Sequence, residues 1–422
     1  MSALPHELLP DNATVDTNGS LCIAGCNVLA LAQEFGTPLF VYDEDHIRIR
    51  CRQAREAFLG SVAYASKAFL CLAMAKLICE EGLDIDVATG GELHVALTAG
   101  VPAARIVMHG NNKSTSELAV AVNAGVGRIV VDSFDELNRL KALGRSTEHR
   151  PKVLLRITPG VEAHTHEYVT TGVDDTKFGF TVSSGLADAA IQRTNELDAV
   201  ELVGLHAHIG SQVFELRSFQ RAVEVVARFA EPYGLSELSL GGGLGVAYVE
   251  GESAPSIGEW ADAIAVACAK VGFNTPVSVE PGRALVAAAA ITLYEVGTIK
   301  ELDGIRTYVA VDGGMSDNPR PVLYGSGYET FLPRALNSKR NKQVRVVGKH
   351  CESGDLLVRE GRVPGDIAVG DILATPVTGA YGHSMGSNYN KVLRPAVVFV
   401  RQGDARVVVR RESYQDLLRN DL

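Results

Sequence analysis

The sequence predicts an α/β architecture: a (β/α)8 barrel joined to a second, mostly antiparallel β domain. Three observations carry this. Eight short β-rich runs alternate with Ala/Leu/Glu-rich helical stretches between Val62 and Arg283; strand-like segments dominate after Arg283; and polar or glycine residues gather at the end of each run. Parallel strands buried on both faces read as continuous apolar runs and need a crossover helix between them. An open doubly wound sheet shares this alternation and stands as the alternative.

In chain order, residues 1–36 form an N-terminal segment expected to join the β domain. It carries an Asn18-Gly19 hairpin signal within Thr14–Ile23 and a short helix near Val28–Phe35. The barrel is expected over 37–283, with the strand Leu39–Tyr42 leading towards it. Its eight strands are Val62–Lys67, Leu83–Thr89, Ile106–Gly110, Arg128–Ser133, Val153–Thr158, Leu202–Ile209, Glu237–Gly242 and Val277–Glu280. Helical periodicity marks Glu92–Leu97 and Phe219–Tyr233. The β domain, 284–422, takes Ala290–Lys300, Arg306–Val311, Val344–Gly348, Asp355–Val358 and Ile372–Thr375. It then takes Ala396–Arg401 and Arg406–Arg411 around Gly403-Asp404, and ends in a helix at Tyr414–Leu418.

The chain has 422 residues, 46% hydrophobic and 21% charged, which suits an ordinary soluble globular protein of two domains. A formal net charge of −10 without a basic stripe argues against a nucleic-acid partner. No basic leader with an apolar core opens the sequence, and the apolar run Ala284–Tyr294 is too short to span a bilayer. Seven cysteines without scaffold spacing read as reduced thiols, so a cytoplasmic location is expected.

In barrels of this kind the C-terminal strand ends carry the chemistry. The first ends in Lys67, whose amine, if desolvated, is a nucleophile suited to an aldehyde; the plainer reading is an amine that has reached solvent. Gly241-Gly242-Gly243 after the seventh strand lets backbone N–H groups approach a phosphate, with Ser211 able to add a hydroxyl; a flexible turn is the alternative. Glu280, before the Pro281-Gly282 turn, is placed to keep a pyridinium nitrogen protonated, or to pair with Arg283 on the surface. Arg283 suits a phosphate or a carboxylate. His206 and His208 share a strand face and so fit a metal chelate, as in barrel hydrolases, or one is a core histidine and His208 lies flat against a planar cofactor. In the β domain, Cys351 is a buried structural thiol or an exposed proton donor, and Arg320 with Tyr324 can grip a distal carboxylate.

Tyr64-Ala-Ser-Lys67, His208-Ile-Gly-Ser211-Gln212, Gly241-Gly-Gly-Leu-Gly245, Glu280-Pro-Gly-Arg283, Asn318-Pro-Arg320-Pro-Val-Leu-Tyr324 and Cys351-Glu352-Ser-Gly-Asp355 resemble the diaminopimelate decarboxylases. These belong to the barrel-type pyridoxal-phosphate-dependent decarboxylases, which include ornithine and arginine decarboxylases. The stretch Gly160–Tyr168, with Lys177-Phe178-Gly179, is closer to the diaminopimelate branch. The resemblance runs from about Pro38 to Leu418 and implies pyridoxal 5'-phosphate held by Lys67, with no metal. It implies His208 against the ring, Glu280 on its nitrogen, and Ser211, Gly241, Gly242, Gly243, Pro281, Gly282, Arg283 and Tyr381 at the phosphate side. Arg283, Arg320, Tyr324, Glu352 and Tyr381 would position a small amino-acid substrate. Cys351 would act as the acid from a neighbouring subunit of a homodimer. Two departures stand out: Phe69, where relatives often carry Asn, and Gly382-His383 after Tyr381, where many have bulkier residues.

Overall fold

The computed structural model describes residues 3–144, 150–161 and 174–422. The diaminopimelate-branch stretch Gly160–Tyr168 therefore lies mostly outside the described residues. Two units are distinguished: Met1–Arg50, Val246–Ser253 and Leu285–Leu422 in one, Cys51–Gly245 and Ala254–Ala284 in the other.

The second unit is a parallel barrel. Its strands are β1 (Ala63–Ala65), β2 (Asp84–Val87), β3 (Ile106–Met108), β4 (Arg128–Val131), β5 (Lys152–Thr158), β6 (Glu201–His206), β7 (Glu237–Ser239) and β8 (Val277–Ser278), paired in chain order. All seven pairings along this path are parallel. A parallel bridge from Val62 to Val279 joins the first and last strands, so the sheet closes and the open-sheet alternative falls. Each strand ends two or three residues earlier than its sequence run, except β5, which keeps its end. The polar residues beyond the ladder are taken by turns and caps. Thr89 and Ser133 cap the following helices, accepting from Glu92 N–H and Glu136 N–H. Capping boxes at Ser114/Glu117 and Ser256/Glu259 start the helices Thr115–Ala124 and Ile257–Lys270.

The first unit holds an eight-stranded sheet. Its path runs Leu356–Val363, Lys342–Val347, Arg306–Val311, Ala290–Leu302, Leu39–Asp43, Ala396–Arg401 and Asp404–Val409, with Ile372–Pro376 also on Ala290–Leu302. Most pairings are antiparallel; two are parallel. Leu39–Asp43 does not lead into the barrel. It is an interior strand between Ala290–Leu302 and Ala396–Arg401, with all five residues buried. The N-terminal hairpin forms as expected, Ala13–Val15 against Leu21–Ile23, but with Cys26–Asn27 it makes its own three-stranded sheet. Asp16 closes its turn by accepting from Asn18 N–H and Ser20 N–H. Among the described residues no helix is long and apolar enough to cross a membrane.

A buried ion pair ties the β3 and β4 segments. Lys113 Nζ lies 2.9 Å from Glu136 Oε1 and donates to Gly110 O (2.6 Å) and Val130 O (2.7 Å). Removing one partner strands the other charge in the core. Lys113→Met should therefore lower the unfolding free energy by about 3–5 kcal/mol in urea titration, and adding Glu136→Leu should restore most of it.

Candidate active site

Glu280 stands two residues past β8, and its backbone N–H donates to Gly241 O at 2.8 Å. That bond carries the end of the ladder into the glycine turn and aims the carboxylate at the barrel centre. His109 Nε2 lies 3.1 Å from Oε1, His206 Nε2 lies 2.9 Å from Oε2, and Ser239 Oγ donates to Oε1 at 3.1 Å. Asp86 Oδ1 is 3.8 Å from His109 Nε2, and the two imidazoles meet edge to face at 4.8 Å. Burial opposes the ionised form of Glu280, but His109 and His206 overcome it and hold the carboxyl well below the usual range. Burial likewise opposes a proton on His109, yet Asp86 and Glu280 together raise its pKa. Burial pushes Asp86 up to about 6, against the attraction of His109. His206 goes the other way: burial takes it down to about 4.

The glycine triplet is demanded first by packing. A Cβ on Gly242 would sit 2.2 Å from Glu280 O, and one on Gly243 2.3 Å from Gly210 O, where φ is +116°. Gly242 N–H donates to His208 Nδ1 at 3.2 Å. An accepting Nδ1 makes His208 the neutral Nε2–H tautomer, and burial holds its pKa well below the ordinary value. Arg283 Nη2 donates to Ser211 Oγ at 2.9 Å, so the guanidinium grips that hydroxyl, and Glu280 bonds the imidazoles. Of the two readings of Lys67, its exposure agrees with the plainer one. β1 stops at Ala65, and Lys67 lies exposed on a single 3-10 turn, Ser66–Ala68.

The structure thus brings together His208, Ser211, Gly241, Gly242, Gly243, Glu280, Pro281, Gly282 and Arg283 at the barrel's strand ends, with Lys67 just past β1. It separates the two histidines of the sixth strand. His206, 1% exposed, serves Glu280, and His208 serves the glycine turn, so they do not form one chelate. Atoms of His109, His206 and Glu280 all fall within 4.8 Å of one another, a spacing compatible with metal ligation, but each carboxylate oxygen already faces an imidazole nitrogen. Sequence reasoning places Asp86 and His109 among the polar strand ends without giving them a role, and misses Ser239. Their only signal is a polar residue in or just after a barrel strand.

In the β unit, Arg320 opens the short helix Arg320–Tyr324, so Tyr324 lies one turn on. Arg320 is 4% exposed, stacks 4.2 Å above the Tyr248 ring and donates to Tyr328 Oη. Tyr381 is half-buried with φ +61°, a left-handed conformation uncommon for a bulky side chain. Cys351 is exposed, which settles the thiol's two readings in favour of an accessible one, and Glu352 beside it is exposed too. Asn390 Oδ1 accepts from Cys351 N–H at 3.2 Å and lies 3.2 Å from His350 Nδ1. The two departures are packing residues: Phe69 is fully buried, its carbonyl accepting from Tyr64 Oη, and His383 packs edge-on against Phe40.

A pH consequence follows for His206. Its folded pKa of about 4 lies below the unfolded value near 6.5, so the unfolded chain binds more protons between them. The neutral ring's contribution is present above about 6.5 and is lost as pH falls towards 4. In NMR titration of the cofactor-free protein, the His206 imidazole should stay neutral until pH nears 4.

An ionised acceptor at the barrel centre, a neutral flat imidazole, a reachable amine and a Cβ-free turn together fit a phosphorylated aldehyde with a basic ring nitrogen. Residues 44–287 match the family described as "Pyridoxal-dependent decarboxylase, pyridoxal binding domain". The diaminopimelate decarboxylase of Mycobacterium tuberculosis is 50% identical, with 98% of each chain covered. That of Bacillus subtilis is 46% identical, with 96% of each covered. The crystal structure of diaminopimelate decarboxylase from M. jannaschii in complex with L-lysine is 34% identical, has a TM-score of 0.91 and covers 98% of both chains. Agreement of this extent, over both units and not the barrel alone, means that the chain belongs to the diaminopimelate decarboxylase family of pyridoxal-dependent decarboxylases.

Proposed function

We propose that this protein converts meso-2,6-diaminopimelate to L-lysine and CO2, the last step of lysine biosynthesis, with pyridoxal 5'-phosphate as cofactor. The observation that carries the proposal is the Glu280 carboxylate, kept ionised inside the barrel by His109 and His206. An anion there favours a protonated ring nitrogen. When bound, the cofactor supplies the sink for the electron pair left behind as a carboxyl group departs as CO2.

The chain's own residues do the rest. Lys67 would hold the cofactor through its Nζ, the amine that the chain places just past β1. His208, neutral and anchored by Gly242, offers a flat face without a competing charge. Ser211, Gly241, Gly242, Gly243, Tyr381 and the 280–283 turn take the phosphate. Arg283, Arg320, Tyr324, Glu352 and Tyr381 orient the substrate. For Arg320, the Tyr248 and Tyr328 rings preset the guanidinium, so little rotamer freedom is lost on binding. Cys351 Sγ gives the product carbon its proton, acting across a homodimer whose two sites are shared; its exposure on the single chain supports this. A reducing, cytoplasmic setting keeps all seven cysteines as free thiols.

Purified protein supplied with pyridoxal phosphate and meso-diaminopimelate should release lysine and CO2 in equal amounts. Release of CO2 from ornithine or arginine alone overturns the substrate assignment. Cys351→Ala should lower kcat by about 10²–10⁴-fold, the usual worth of a positioned acid. Mixed with Lys67→Ala and allowed to exchange subunits, it should recover roughly a quarter of wild-type activity, because half the dimers are mixed and each has one intact site. No recovery despite proven exchange would place both residues in one subunit's site.

A further inference from the structure

The two imidazoles on Glu280 are not equivalent. His109 Nε2 faces two carboxylates, Glu280 Oε1 at 3.1 Å and Asp86 Oδ1 at 3.8 Å. A ring nitrogen so placed keeps its proton, and His109 is the cation between two anions. His206 Nε2 faces Glu280 Oε2 alone, at 2.9 Å, and its buried Nδ1 has no hydrogen-bond partner among the described residues. A second proton on that ring would strand an N–H in the core. His206 is therefore a neutral donor through Nε2–H. Glu92 beyond β2, Lys67 past β1, Arg156 on β5 (which also feels Asp132) and His208 past β6 make up the other charged and titratable surroundings of Glu280 and Asp86.

We propose that His206 and His109 are positioning residues with separate roles, His206 fixing the plane of the Glu280 carboxylate and His109 fixing its charge. The assignment rests on the pyridoxal-phosphate reading and deepens it, because a ring nitrogen needs both an aligned and an ionised partner. Without the His109 cation, Asp86 and Glu280 face each other as like charges, and one of them takes up a proton as pH falls. Without the His206 donor, Glu280 keeps the His109 cation as its main counter-charge, but the oxygen that His206 held can turn.

The test is a fluorescence titration of the cofactor-free protein with pyridoxal 5'-phosphate at pH 8, 7 and 6, with circular dichroism to confirm folding. Relative to wild type, the Kd of His109→Gln should rise about tenfold or more between pH 8 and 6, the equivalent of one pKa unit. Adding Asp86→Asn should shrink that rise, since a single carboxylate remains. His206→Phe should weaken binding about tenfold at every pH, and His206→Gln, which keeps an N–H donor, should recover most of it. A pH-independent loss in His109→Gln overturns the division. So do equal affinities for His206→Phe and His206→Gln, a comparison that decides the matter even where His109→Gln fails to fold. No binding to the wild-type protein overturns the cofactor reading and this inference together, an outcome distinct from the other two.

Discussion

An ionised carboxylate inside a closed parallel barrel is expensive, and the strand ends around Glu280 are arranged to offset that cost. Burial alone would protonate the group. Two imidazoles and the Ser239 hydroxyl reverse the preference by meeting the carboxylate at hydrogen-bond distance from three different strands. Such convergence is available only at the centre of a closed sheet, where ends far apart in sequence come within a few ångströms. The Val62–Val279 bridge therefore serves the site as well as the fold. Gly242 belongs to the same constraint, since its missing Cβ lets the turn lie against the Glu280 carbonyl.

The β unit solves the opposite problem by another route. Arg320 is buried and always charged, and it is met by aromatic rings and a phenol instead of a carboxylate: the face of Tyr248, the face of Tyr328 and the Tyr328 oxygen. A carboxylate in that place would neutralise the guanidinium. Aromatic faces stabilise the cation and leave its charge available to an acidic ligand. The two buried charges thus differ in kind. Glu280 is saturated with donors that define its state, and Arg320 is braced by groups that do not cancel it.

Much of this is legible in the sequence, and the failures have physical causes. Apolar runs at barrel spacing announce the strands, and Glu280-Pro281-Gly282 and Gly241-Gly242-Gly243 announce their ends. Leu39–Asp43 is misplaced by sequence reasoning because an interior strand of any sheet is an apolar run with no face to mark; its partners, Ala290–Leu302 and Ala396–Arg401, lie some 250 and 350 residues away. The strands come out too long because Thr89 and Ser133 are compatible with strand propensity but are worth more as helix caps. The role of His109, and Ser239 altogether, escape because a hydrogen bond across a barrel leaves no local pattern. The pairing of His206 and His208 suggests a chelate under strict alternation, which the end of β6 at His206 removes.

Lys67 shows where the cost of function sits. A buried, neutral amine would have been the obvious route to a nucleophile, and it would have destabilised the first strand. Instead β1 ends early and Lys67 is carried on an exposed turn. The desolvation penalty falls on Glu280. The exposed lysine stands on one short turn, and the buried carboxylate is locked in the core by partners from three strands. That separation holds the barrel rigid at its buried carboxylate and leaves the lysine on a turn outside the ladder.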